Sequence, residues 1–241
     1  MIWILAVGVA LKILSHTAPF PFLYEAFAPE YAVWRMPAGD PPTVYLTFDD
    51  GPNPRATPAL LDVLASTGVK ATFFVIPEHV TEETAPIVRR AFAEGHAVAL
   101  HSNKRSLVLA TPEQLERFLN DSLRRIEGLA GVLPCRLFRP HAGWRGGSMY
   151  AGAAPARFLI VGWSGGLWDW NWYKTPQAST VAQRLARRAS SGDIIVLHDG
   201  HHKNPRANRT YAVEAVSQLV PALQQRGFQF GTLCDPRLAE D

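Results

Sequence analysis

The sequence predicts a single α/β domain built on a parallel sheet, and two observations carry that prediction. From residue 43 onward, short apolar runs alternate with segments of helical periodicity about seven times, the pattern of strands that return through outer helices to one sheet, open or closed into a barrel. No internal repeat, low-complexity tract or Gly/Ser linker interrupts the 241 residues. One domain over residues 41–241 therefore accounts for the alternation, with residues 1–40 as an N-terminal extension.

The extension opens with MIWILAVGVALKIL, apolar apart from Lys12. This is shorter than the roughly 20 residues needed to span a bilayer, and it lacks the charged n-region and small-x-small cleavage site of a signal peptide. Residues 1–14 read either as an export or membrane-anchoring segment or as a terminal helix packed on the domain. Pro19 and Pro21 end any helix there. Strand candidates follow at 43–48, 71–76, 97–101, 136–139, 158–163, 193–198 and 228–233. The clearest helix is 112–127: Thr111 is a natural N-cap, Pro112 suits the first turn, and Leu115, Phe118, Leu119, Leu123 and Ile126 recur at helical spacing.

The hydrophobic fraction of 47% and charged fraction of 19% are those of an ordinary globular protein. A formal charge of +3, with Arg55, Arg89, Arg90, Arg124, Arg125, Arg187 and Arg188 dispersed, argues against nucleic acid as a partner. Cys135 and Cys234 match no CxxC motif and are either buried thiols or one long-range disulfide.

In a parallel α/β architecture functional groups gather at the carboxyl ends of the strands. The first strand ends on Asp49 and Asp50 in LTFDDGP, and the third on His101 in VALHSNKRS. The fourth ends on Arg139 in LFRPHAGW, the fifth runs into GWSGGLWDW with Asp169, and the sixth ends on His198 in IIVLHDG. Neighbouring strand residues point to opposite faces, so Asp49 and Asp50 converge only where the backbone starts to turn, as Gly51 and Pro52 require. A lone His or Arg past a strand is ordinarily structural. Five such strand ends on one rim point to a reaction centre.

These stretches resemble, in order, the motifs of the polysaccharide deacetylase family (NodB-homology, carbohydrate esterase family 4), over about residues 40–235. The resemblance implies a distorted (β/α)7 barrel. It also implies metal-assisted hydrolysis of N-acetyl groups on a GlcNAc-containing glycan, peptidoglycan or chitin-like oligomers, at the cell envelope. By resemblance Asp49 is the general base, Arg139 its partner, His198 the general acid and Asp169 the carboxylate that keeps His198 charged. Asp50 and His101 would be ligands of a divalent metal, with zinc expected. Backbone N–H groups near Ala142 would receive an oxyanion, and Trp170 would wall the sugar site, with Trp144, Trp163, Trp168 and Trp172 left unassigned. Amide hydrolysis needs an activated water, oxyanion stabilisation and a proton for the amine, and these residue types can supply all three. A metal-independent hydrolase of small amides and a carbohydrate-binding pseudoenzyme are the competing readings.

One position departs from the family pattern, H-[ST]-x-x-H. Here His101-Ser102-Asn103-Lys104-Arg105 puts arginine where a second histidine is expected. Arginine has no free lone pair and stays protonated. At about 4 Å it would repel a divalent ion by roughly 8 kcal/mol at an effective dielectric near 20. Three arrangements follow. Arg105 faces outward and Asn103, His141 or water substitutes; Arg105 pairs with Asp50 and replaces the ion; or the rim only binds glycan. His141 reads as a solvated loop histidine, with a replacement ligand as its alternative. His96, His201 and His202 carry no comparable argument, although the last two follow the HDG turn at the expected cleft mouth.

Overall fold

The computed structural model describes residues 32–166 and 176–234. In chain order the elements are β1 (Ala32–Val33), β2 (Thr43–Gly51), α1 (Ala56–Thr67), β3 (Thr72–Val75), α2 (Ala85–Ala93), β4 (Ala97–His101), α3 (Pro112–Ala130) and β5 (Leu137–Arg139). They continue as α4 (Gly147–Ala153), β6 (Leu159–Val161), β7 (Gly165–Gly166), α5 (Ala178–Arg188), β8 (Ile194–His198), α6 (Thr210–Gln225) and β9 (Gln229–Phe230). Short 3-10 turns lie at Pro77–His79, Arg105–Leu109 and His141–Gly143.

The strands pair in parallel in the order β1-β6-β5-β4-β3-β2-β8-β7, with β9 added beside β2. An antiparallel bridge between Arg35 and Asp193, and the Met36 N–H donated to the Gly192 carbonyl, tie the chain beyond β1 to the entry of β8 and so draw the two sides of this path together. The result is the distorted barrel expected from sequence. β1 lies within the first 40 residues, and Trp34 and Met36 beyond it are buried, so the end of that segment packs as part of the domain. Like β7 it is two residues long, too short for a period to be read.

Strand periodicity sorts the core into two layers. Leu46, Phe48, Phe73, Val98, Leu100, Phe138 and Ile195 pack outward with helix residues such as Leu60, Leu64, Leu119 and Val216. Their alternates Phe74, Ala99, Leu137, Val161, Ile194 and Val196 fill the barrel with Met36, Trp163 and Leu233. Helix α3 starts as expected at a capping box between Thr111 and Gln114. It runs past residue 127 to Gly131, which takes the left-handed conformation (φ 65°) that ends it.

Cys135, just before β5, and Cys234, just after β9, form a disulfide with Cα atoms 5.9 Å apart. This settles the two readings left open by their spacing. Beside it, Leu233 enters the barrel interior and its N–H donates to Thr72 Oγ1 at 2.9 Å. Among the described residues no helix is long and apolar enough to cross a membrane.

Candidate active site

The inward row of each strand continues upward from the apolar filling into polar residues. On β2 the row is Tyr45, Thr47, Asp49; on β4 Ala97, Ala99, His101; on β5 Leu137, Arg139; and on β8 Ile194, Val196, His198. Register then sets neighbours side by side, Asp49 against His198 and His101 against Arg139. Asp49, Asp50, His101, Arg139 and His198 therefore share one rim, and all five are buried. Asp169 and Trp170, together with Trp168 and Trp172, lie outside the described residues.

Arg139 is fully buried, and its charge is matched on every side. Nη1 donates to Asp49 Oδ1 at 2.6 Å and to Thr47 Oγ1 at 2.8 Å, Nη2 to the Gly162 carbonyl at 2.8 Å, and Nε to the Val161 carbonyl at 3.4 Å. The guanidinium lies over Phe74 at 4.0 Å. Such saturation is what makes a buried cation tolerable. Trp163, unassigned from sequence, is buried beside this guanidinium at 5.7 Å.

Asp50 has a left-handed backbone (φ 70°), uncommon for a non-glycine residue and here produced by the bulge between Asp49 and Gly51. Its carbonyl accepts from His79 Nδ1 at 3.1 Å. A Cβ on Gly200 would stand 2.0 Å from that same carbonyl oxygen, so only glycine lets the turn after His198 lie against Asp50. His101 donates from Nδ1 to the Arg139 carbonyl at 2.8 Å, which presents Nε2 to Asp50 Oδ1 at 3.3 Å. That contact falls outside hydrogen-bond geometry, and Asp50 Oδ1 is buried with no hydrogen-bond partner among the described residues.

Electrostatics follow from this packing. Burial alone would raise the Asp50 pKa, but His101, with His198 and His202 nearby, outweighs it and holds the carboxyl well below the usual range. Burial works against the His101 imidazolium, yet Asp49 and Asp50 raise its pKa. Burial, with His101 and His202 adjacent, pushes His141 down to about 4.

His141 is 5% exposed, not a solvated loop histidine, because the turn after β5 tucks its ring between His101 and His202, with ring centres 6.4 and 4.9 Å away. Ala142 follows with a left-handed backbone (φ 52°) and is half-buried. Arg105 is exposed at the start of its 3-10 turn, and Asp50 takes His101 as its ion partner. Among the described residues no three His, Cys, Asp or Glu side chains converge closely enough to hold an ion.

Sequence reasoning missed two residues and left a third, His202, at the cleft mouth without a role. His79 buttresses Asp50, and its only sequence signal is its place just past β3. Asp199 is buried beneath Gly51, hydrogen-bonded to Thr57; burial, resisted by that hydroxyl and reinforced by Asp50, pushes its carboxyl up to about 7. His202 is 8% exposed, and the His201-His202 doublet after HDG was the signal for it.

Residues 23–154, more than half of the chain, match the polysaccharide deacetylase family. The chain belongs to the polysaccharide deacetylase family. This polysaccharide deacetylase is 36% identical over 193 residues to a chitooligosaccharide deacetylase of Sinorhizobium fredii, covering 78% of this chain and 88% of that one. It is 30% identical to a peptidoglycan-N-acetylglucosamine deacetylase of Bacillus cereus, covering 85% and 92%. Its fold superposes on the Bc1960 peptidoglycan N-acetylglucosamine deacetylase with a TM-score of 0.74 at 29% identity, over 86% of this chain and 94% of that one. A family 4 acetyl xylan esterase from Clostridium thermocellum, in complex with a cobalt ion, superposes with a TM-score of 0.69 at 30% identity, over 81% and 89%.

Proposed function

We propose that this polysaccharide deacetylase removes N-acetyl groups from GlcNAc-containing glycans, peptidoglycan or chitin-like oligomers, by metal-assisted amide hydrolysis. The observation that carries the reading is the pairing of two carboxylates with two partners on one rim: Asp49 with Arg139, and Asp50 with His101. The relatives named above as deacetylases of such glycans support the substrate class.

Asp50 and His101 suit a divalent ion. Asp50 Oδ1, which has no hydrogen-bond partner, and the His101 Nε2 it faces at 3.3 Å are anionic oxygen and imidazole nitrogen, a donor pair that suits zinc or cobalt. Bound there, the ion would acidify a water and polarise the amide carbonyl. Asp49, with one oxygen fixed by Arg139, takes the water's proton as its oxygen attacks the carbonyl carbon. The backbone at Ala142 receives the oxyanion. As the C–N bond breaks, His198 gives its proton to the departing amine, leaving acetate and a free glucosamine amine, with Asp169 and Trp170 in their expected roles.

Asp50 is engaged by His101 and not by Arg105, which favours this over an arginine that replaces the ion, although the Arg105 charge still reaches His141 and His202. The disulfide fits an oxidising compartment and hence export to the cell envelope. Acetate release from N-acetylchito-oligomers tests the reading. Release should disappear on exhaustive chelation and return with a divalent ion; turnover that survives chelation supports a metal-independent hydrolase, and glycan binding without turnover a pseudoenzyme.

A further inference from the structure

We propose that Asp199 is a positioning residue for the proton handed to the departing amine: tied to Thr57, its side chain fixes the turn that carries His198 against the bulge that carries Asp49. The inference rests on the acid and base roles given above to His198 and Asp49.

At the end of β8 the two-residue period that sends His198 to the rim sends the next residue the other way, and Asp199 enters the outer layer at the start of α1. It is 1% exposed there, and Thr57, in the first turn of α1, donates its hydroxyl proton to Asp199 Oδ2. That hydroxyl is itself fixed, because it accepts the Asn53 N–H at 2.8 Å. Asn53 Oδ1 in turn accepts the N–H groups of Arg55 and Ala56 at 2.9 and 3.1 Å, and Nδ2 donates to the Ala207 carbonyl at 2.8 Å. The loops after β2 and β8 are thus joined by side chains at two places, Thr57 with Asp199 and Asn53 with Ala207.

What these links hold together is a backbone contact between acid and base. His198 pairs with Asp49 in the sheet register, and the Gly200 N–H reaches the Asp49 carbonyl at 3.3 Å. The Asp199 carboxyl lies against Gly51, where an added Cβ would stand 2.5 and 2.8 Å from its two oxygens. Closing the two turns so tightly takes a glycine on each, Gly51 facing Asp199 and Gly200 facing Asp50. Asp199 Oδ1 is buried with no hydrogen-bond partner among the described residues, so this carboxyl is a poor choice for merely filling space. What it provides is alignment: a displacement of about 1 Å at a reacting group can cost roughly 10²-fold in rate.

Kinetics on two acetyl donors, measured on the full chain, test this. N-acetylchito-oligomers leave an amine that needs a proton, whereas para-nitrophenyl acetate leaves a phenolate that departs without one. Asp199→Ala and Thr57→Val should each lower kcat on the oligomers by about 10²-fold with KM unchanged, and the double variant should fall no further, because all three break one link. The loss on the aryl ester should be much smaller, and Thr57→Ser, which keeps the hydroxyl, should restore deacetylation. Equal losses on both substrates, or wild-type kinetics in Asp199→Ala and Thr57→Val, overturn the proposal while leaving the acid and base assignments intact. A His198→Ala variant that loses no more on the oligomers than on the ester removes the acid assignment and the proposal with it, as does a wild type that releases no acetate. Thermal melting checks folding; should Asp199→Ala not fold, Thr57→Val beside Thr57→Ser makes the same comparison.

Discussion

Arg139 serves two residues at once: its guanidinium grips Asp49, and its own carbonyl fixes which nitrogen of His101 faces Asp50. The Asp49→Asn variant should therefore show two losses. Turnover should fall by about 10² to 10⁴, the usual contribution of a general base, measured as acetate release. Stability should fall by about 3 kcal/mol in a urea titration, because a buried guanidinium loses its counter-charge. Activity above a tenth of wild type would remove Asp49 from the role of base. These residues were legible in sequence because each stands at a strand's carboxyl end, where the two-residue period alone dictates the face. His202 was not, because it lies four residues beyond β8 and its position depends on how that loop crosses to Asn103. His141 was misread for a related reason: sequence marks a turn after Pro140, but not which rings will bury it.

At the scale of the element, buried histidine couples stability to pH at the start of β3. The His96 ring accepts the Ala71 N–H at 3.1 Å through Nδ1, which requires that nitrogen unprotonated, and it packs edge-on against Phe73. Burial, helped by the charge of Lys70 and opposed by Glu94, lowers its pKa to about 4. The unfolded chain binds the proton more tightly, so this contribution is whole above the ordinary histidine pKa and is lost as pH falls from about 6.5 towards 4. Its size is up to about 3 kcal/mol. Melting temperatures across that window should decline in the wild type and decline less steeply in His96→Gln; equal slopes would discount the coupling. Of the elements themselves, β2, β3, β4, β5, β6, β8 and β9 each fall on a strand read from sequence, the last much shortened, while β1 and β7 do not; α3 was readable through its cap and stripe. β2 outruns its apolar run because Asp49 and Gly51 keep pairing across a bulge, a tertiary effect that no local pattern carries.

For the whole molecule, the disulfide ties the entry to β5 to the chain beyond β9 across 99 residues. Closing so long a loop restrains the unfolded chain, and reduction, or Cys135→Ser with Cys234→Ser, should cost about 2–5 kcal/mol. Urea midpoints with and without reductant measure this, and unchanged midpoints would show the bond to be dispensable. The same segment places Leu233 in the barrel interior, directly among Phe74, Ala99 and Val196. Leu233 is synthesised after every strand whose interior it fills. A growing chain lacks that part of its interior, and Cys135 its partner, until this last segment has been made. The floor beneath the rim is therefore the last part of the described barrel that the ribosome delivers.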